Sequence, residues 1–233
     1  MTDLLLIPGH LCDARLWTPQ IETLSALAKV SVAETQCDDS MQGIASRILA
    51  SAPPRFALAG LSMGGHVCME IMRQAPERIE KLALLDTGAA SDNEARRDQR
   101  KQMLSRFQAG EIDQLVDEFM DLLLWTERSG DSALVGDIKK MMIEVAPTAF
   151  EAQVNALWNR PDSRADMTSY ACPTLILCGA EDRLTPPNWS IEMADLIPGA
   201  AIVLIADCGH MSTLERPEAV NAALMHWLTS QEH

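Results

Sequence analysis

Two kinds of apolar pattern alternate along this chain. Runs at residues 4–7, 30–33, 56–59, 82–85, 174–178 and 202–205 are almost wholly apolar and only four or five residues long. They are too short for helices and lack the polar alternation of a half-exposed strand, so they predict strands buried on both faces. Between most of them, at 17–28, 42–51, 64–74, 189–196 and 217–229, apolar residues recur at helical spacing. Alternation of the two predicts an α/β fold: a doubly wound, mainly parallel six-stranded sheet with helices on both faces and right-handed crossovers.

One connection breaks the rhythm. From Asp86 to Thr174 the chain shows helical periodicity and no strand. Its apolar sets are Met103, Leu104, Phe107; Ile112, Leu115, Val116, Phe119; Ile138, Met141, Met142, Val145; and Phe150, Val154, Leu157, Trp158. The tetrapeptide Leu122-Leu123-Leu124-Trp125 is apolar all round, so it is expected to be buried or to face a cleft. Loop signals at 88–93 and 160–164 bracket the insertion. This divides the chain into a core of residues 1–88 and 169–233 and a helical insertion of residues 89–168.

The 233 residues, 47% hydrophobic, suffice for one large core plus a subdomain. A net charge of −14 opposes binding to nucleic acid or an anionic membrane, because phosphate recognition depends on Lys and Arg. No apolar stretch approaches the roughly 20 residues of a membrane span, and the short run at residues 4–7, with no basic region before it and no cleavage site after it, does not read as a signal peptide. The six cysteines show neither C-x-x-C pairing nor zinc-ligand spacing. Reduced thiols in a cytoplasmic protein, with no bound metal, are the expectation.

The candidate chemistry begins at Gly60-Leu61-Ser62-Met63-Gly64, where a strand gives way to a helix. A G-x-S-x-G turn of this kind strains the central residue and exposes its side chain, and a Cβ at either glycine would collide across the turn. A lone motif is common by chance; two later loops add weight to it. The strand at 174–178 is followed by Gly179-Ala180-Glu181-Asp182, and the strand at 202–205 by Asp207-Cys208-Gly209-His210. Both loops lie at the carboxyl edge that carries Ser62. A serine nucleophile needs a base, and the base needs an acid to orient it. The order Ser62, Asp182, His210 therefore reads as nucleophile, acid and base. Asp86, at the end of the strand 82–85, is a competing acid. Asp207 reads as a turn residue. His66 and His226 fall in predicted helices and His233 is the final residue, so His210 is the expected base and His10 the other loop histidine at this edge.

With Pro8-Gly9-His10, the Ser62 elbow, Gly179-x-x-Asp182-x-x-x-Pro186 and Gly209-His210 in this order, the chain resembles the α/β-hydrolase superfamily. It looks most like its small capped esterases and C–C hydrolases, among them the pimeloyl-ester carboxylesterases. The resemblance implies that the insertion is a cap over the site, most of its apolar side chains forming cap core and a minority lining an acyl pocket. It implies an oxyanion hole of two backbone N–H groups, from Met63 and from His10. Relatives carry His-Gly-x where this chain has Pro8-Gly9-His10, which leaves the donor in place but changes what surrounds it. It places the acid at Asp182, or at Asp86 as in some relatives, and draws substrate contacts from Leu124, Trp125 and Met211. No cofactor is implied.

The expected activity is hydrolysis of a carboxylic ester or thioester on a small-molecule acyl substrate. The alternatives are C–C bond hydrolysis or a cofactor-free lyase step with the same residues, and a non-catalytic receptor on the same fold. Serine as nucleophile disfavours the dehalogenase and epoxide-hydrolase chemistry that uses aspartate. A final pattern lies in residues 92–107, where Arg96 with Arg100 and Arg97 with Lys101 are i,i+4 pairs of like charge, mildly unfavourable on an exposed helix. They form either a solvated face or a surface that guides an anionic substrate or an acyl carrier protein.

Overall fold

The computed structural model describes residues 1–230, so His233 lies outside the described residues. Six strands form one parallel sheet in the order β2-β1-β3-β4-β5-β6. They are β1 (Thr2–Ile7), β2 (Ala28–Val32), β3 (Phe56–Leu61), β4 (Ile79–Leu85), β5 (Thr174–Gly179) and β6 (Ala201–Ile205). All six predicted strands are present, shifted by at most a few residues. Each central strand alternates its side chains between two apolar layers. Leu4, Leu6, Ala59 and Leu85 face one, and Leu5, Ile7, Leu58 and Leu84 the other. Burial on both faces is why these strands read as unbroken apolar runs. At the edges burial falls away, and Ile202 and Leu204 of β6 are exposed.

Helices α1 (Thr18–Leu24), α2 (Met41–Ser51) and α3 (Met63–Gln74) follow the first three strands. The expected helix 17–28 is shorter than its apolar pattern. A 3-10 turn at Ala14–Trp17 precedes it, Pro19 lies in its first turn, and Ala28 already belongs to β2. Between β4 and β5 lie α4 (Glu94–Gln108), α5 (Ile112–Leu123), α6 (Ser132–Trp158) and the short α7 (Arg164–Met167). The two apolar sets at 138–145 and 150–158 fall on one continuous 27-residue helix that runs through Pro147. Ile138, Met142, Val145, Ala149 and Phe150 continue one buried stripe, so packing overrides the local penalty of a helix-interior proline. Helices α8 (Pro187–Leu196), α9 (Ser212–Glu215) and α10 (Pro217–Thr229) complete the chain. Among the described residues, no helix is long and apolar enough to cross a membrane.

The chain passes from β1 outward to β2 and returns across it to β3. Strand order therefore reverses between β1 and β3. In open parallel sheets ligands bind in the crevice outside the carboxyl ends at such a switch point. Pro8–His10 and Ser62 follow the ends of these two neighbouring strands and lie against each other there.

Candidate active site

Ser62 follows β3 and caps α3 with φ 56° and ψ −115°, a strained conformation for a residue bearing a Cβ. Two glycines make the turn sterically feasible. A Cβ on Gly60 would fall on the backbone of Gly64, and one on Gly64 on the carbonyl oxygen of Ile7. The turn sets Ser62 Oγ at the mouth of the crevice and brings the start of α3 against the loop after β1. As the first residue of a helix, Met63 has no intrahelical acceptor for its N–H. Among the described residues, no acceptor within the protein engages the N–H of Met63 or of His10.

Ser62, His210 and Asp182 lie on one hydrogen-bonded line. Ser62 Oγ is 2.8 Å from His210 Nε2, and His210 Nδ1 is 2.8 Å from Asp182 Oδ2. The Asp182 carboxylate is fixed from its other side by the N–H groups of Leu184 and Thr185 at 2.8 and 2.9 Å, and by the Thr185 hydroxyl at 2.7 Å. Because Asp182 accepts from Nδ1–H, Nε2 is left as the lone pair facing the serine, a geometry that can take up the hydroxyl proton. Burial alone would push the His210 imidazole down, but the charge and hydrogen bond of Asp182 outweigh it and raise its pKa above 6.5. For Asp182 the order is parallel: burial raises, while the charge and hydrogen bond of His210 and the Thr185 contacts prevail and hold it below the usual carboxylate range.

Asp86, the competing acid, lies behind this line. Its Oδ1 accepts the Gly179 N–H at 2.9 Å and its Oδ2 the Ser212 hydroxyl, and it makes no hydrogen bond to His210. Burial first, then the charge of Asp182, pushes its carboxyl up to about 8. Asp86, Cys178 and Asp182 approach one another within 4.8 Å, close enough to suggest a cation site. Every carboxylate oxygen there already accepts a protein donor, and burial drives the Cys178 thiol well above its ordinary value, so the donor set does not favour a metal. Asp207 occupies a turn with φ 55° and meets Arg216 on the surface. His226 is exposed on α10.

The histidine loop is anchored by a residue that the sequence pattern did not single out. Glu215 is buried and accepts the N–H groups of Trp125, Gly209 and Met211. His210 N–H in turn donates to Leu123 O at 2.8 Å. The segment after α5 is thus tied by its backbone to the loop that carries His210. This corrects the expected roles of Leu124 and Trp125. Leu124 is packed in the core, Trp125 lies beneath the Arg216 guanidinium, and neither lines a cavity beside Ser62. Their neighbours Leu122 and Leu123 do, and Met211 lines the smaller cavity. Glu215 escapes sequence reasoning because it joins its own loop, at Gly209 and Met211, to a segment 90 residues away, at Trp125.

The larger cavity, of about 330 Å³, opens beside Ser62 beneath α4, α5 and α6. Apolar residues Met103, Leu115, Phe119, Leu157 and Leu184 line it together with His10, His66 and Trp189. The His10 ring packs edge-on against Phe119 and Phe150, and its Nδ1 lies 3.1 Å from Gln153 Oε1. That oxygen also accepts Leu11 N–H, while Gln153 Nε2 donates to Thr35, so the amide orientation is set and Nδ1 is the donor. Burial, and secondarily Arg100, lowers His10 to about 3, leaving it neutral. Four arginines, Arg96, Arg100, Arg106 and Arg160, also line it, with Gln99, Gln102 and one carboxylate, Glu118.

Comparison with known proteins gives a consistent picture. A model of the alpha/beta hydrolase family matches residues 8–223. A pimeloyl-(acyl-carrier protein) methyl ester esterase of Nitrosomonas europaea is 26% identical over 230 residues, spanning 93% of this chain and 91% of that protein. A putative non-heme bromoperoxidase of Mycobacterium tuberculosis is 30% identical over 185 residues, spanning 77% and 69% respectively. Among solved structures, a thermophilic esterase from Thermogutta terrifontis has a TM-score of 0.89 at 26% identity, covering 98% of this chain and 89% of that one. An enol-lactonase from Burkholderia xenovorans, at 19% identity and a TM-score of 0.88 over 99% and 92% of the two chains, shares the fold.

Proposed function

Because the chain belongs to the alpha/beta hydrolase family, we propose that it is a serine hydrolase that cleaves a carboxylic ester or thioester through an acyl-enzyme. The supporting observation is the line Ser62–His210–Asp182, with both inter-residue distances at 2.8 Å. His210 Nε2 takes the proton from Ser62 Oγ as Oγ attacks the carbonyl carbon. The negative charge that gathers on the carbonyl oxygen is met by the N–H groups of Met63 and His10. His210 then returns the proton to the leaving alcohol or thiol, and a water activated by the same imidazole releases the acid.

Asp182 holds the imidazole in the required tautomer and stabilises its cationic form. The chemistry calls for no metal or cofactor. The test is hydrolysis of p-nitrophenyl esters of increasing chain length together with labelling by a fluorophosphonate. Ser62→Ala should abolish labelling and lower kcat on the order of 10³–10⁶-fold while leaving the circular dichroism spectrum intact. Labelling of the wild type without cleavage of any ester or thioester would instead favour C–C bond hydrolysis or a lyase step by the same residues.

A further inference from the structure

Helix α4 divides its charges between two environments. Arg97 and Lys101 are exposed, and Lys101 pairs with Asp98 within the helix. Arg96 and Arg100 turn inward and line the cavity beside Ser62, joined there by Arg160 from the end of the helical insertion. The i,i+4 repeat of like charge therefore has two meanings: a solvated face on one side, and a convergent pair on the other.

The inward group is under-neutralised. Arg100 and Arg160 share one buried carboxylate, Asp92. Arg160 Nη2 lies 2.8 Å from its Oδ1, and Arg100 Nε contacts its Oδ2. Arg106, farther along α4, is matched by Glu111 and Glu118. Arg96 forms no ion pair among the described residues. Its guanidinium is held by Leu184 O at 2.9 Å and by the Trp189 ring, whose centroid is 4.3 Å away. Leu184 donates its own N–H to Asp182, so Arg96 is fastened to the loop that carries the acid. One of its five N–H donors is committed there, and the remainder of the fork is unassigned. Around Asp92, three guanidiniums answer to one carboxylate.

That excess charge is felt inside the cavity. Burial, followed by the fields of Arg160, Arg100 and Arg96, holds the His66 imidazole well below its ordinary value. Arg96 itself is lowered, first by burial; the charge of Asp92 opposes this, Arg100 and Arg160 add to it, and Asp182 offsets them only in part. Gathering desolvated cations without counter-charge is unfavourable unless an anion joins them. In a chain with 33 acidic and 19 basic residues, ample carboxylates exist to neutralise this place, yet Arg96 feels Asp92 and Asp182 only at a distance and has no direct ion pair among the described residues.

We propose that Arg96, Arg100 and Arg160 form an anion-binding subsite in the cavity beside Ser62, and that the substrate is a small ester or thioester bearing a carboxylate. The inference rests on the serine-hydrolase reading and specifies its substrate class. A cavity of about 330 Å³ admits a short acyl chain. Its apolar wall of Met103, Leu115 and Phe119 takes the methylenes, and the guanidinium fork takes the carboxylate in charge-assisted hydrogen bonds. The arginines concerned face the interior, which favours a small molecule over a docked carrier protein.

The test compares p-nitrophenyl hexanoate with mono-p-nitrophenyl adipate, esters of equal acyl length of which one carries a terminal carboxylate. The wild type should prefer the adipate ester. In Arg96→Gln the ratio of kcat/KM for adipate over hexanoate should fall about ten-fold or more, through KM. Arg96→Lys should recover part of it, and Arg97→Gln, which removes the same charge from the exposed face, should keep the wild-type ratio. A wild-type ratio below one, or equal ratios in wild type and Arg96→Gln, would overturn the subsite while leaving the serine hydrolase intact. If neither ester is cleaved in a Ser62-dependent manner, it is the serine-hydrolase reading that fails. The subsite is then decided by calorimetric titration with free adipate: about ten-fold weaker binding to Arg96→Gln upholds it, and equal or absent binding in both proteins overturns it.

Discussion

Asp86 and Asp182 bring carboxylate oxygens within 4.8 Å of one another at the ends of adjacent strands, yet their environments push them apart chemically. Asp182 is held below the usual carboxylate range by His210 and Thr185, while burial raises Asp86 to about 8. One is suited to orient an imidazole as an anion, and the other to hold backbone and hydroxyl groups as a neutral acid. Of the two carboxylates, only that of Asp182 hydrogen-bonds to His210.

Exchanging each for its amide separates the two roles. Asp182→Asn should lower kcat by up to about 10⁴-fold by favouring the wrong tautomer of His210. Asp86→Asn should cost less than about ten-fold, since an amide can serve Gly179 and Ser212 as a protonated carboxyl does. Steady-state rates of the two variants on one ester decide the matter. Near-full activity of Asp182→Asn with loss in Asp86→Asn would reassign the acid.

The same pair predicts a pH dependence of stability. A carboxyl whose folded pKa lies above its unfolded value holds a proton that the unfolded chain has released. Its contribution is fully present below the unfolded pKa of 3.8 and is lost as pH rises through the folded value of about 8. Asp86→Asn should remove this loss. Urea midpoints for the wild type should decline relative to the variant between pH 5 and pH 9, and parallel curves would count against a protonated Asp86.

Activity should follow the imidazole. His210 must be neutral to accept the serine proton, and Asp182 raises its pKa. Thus kcat/KM should rise with pH through an apparent pKa above the ordinary 6.5 of histidine. Asp182→Asn, by removing the charge, should shift that limb downward. A profile flat from about pH 5 to 9, with acylation shown to be rate-limiting, would exclude a histidine base.

The elbow should tolerate no side chain at Gly64, where a Cβ falls on the Ile7 carbonyl. Gly64→Ala should lose about 1–3 kcal/mol in chemical denaturation. Its kcat should fall disproportionately, because the displaced helix start carries the Met63 N–H. An equally stable, equally active variant would show that the turn has room the structure does not give it.

Much of this molecule is legible in one dimension because its determinants are local. Strands buried on both faces must be apolar throughout, so the six runs announce a parallel sheet and its order of strand and helix. The glycines around Ser62 are required by a turn of a few residues, and Asp182 and His210 follow strands that end at the same edge. Side chains whose partners lie far along the chain are illegible for the same reason. Glu215 ties its own loop, at Gly209 and Met211, to the backbone of Trp125, 90 residues away, and no pattern near Glu215 names that distant partner. The apolar tetrapeptide at 122–125 gave no means of telling which residues face the crevice; the backbone tie to the histidine loop turns Leu122 and Leu123 toward it and Leu124 and Trp125 away. Sequence likewise shows two pairs of like charge on α4 but not which pair points inward. That depends on how α4 packs against α5 and α6, a non-local arrangement that converts Arg96 and Arg100 from surface charges into the lining of a cavity.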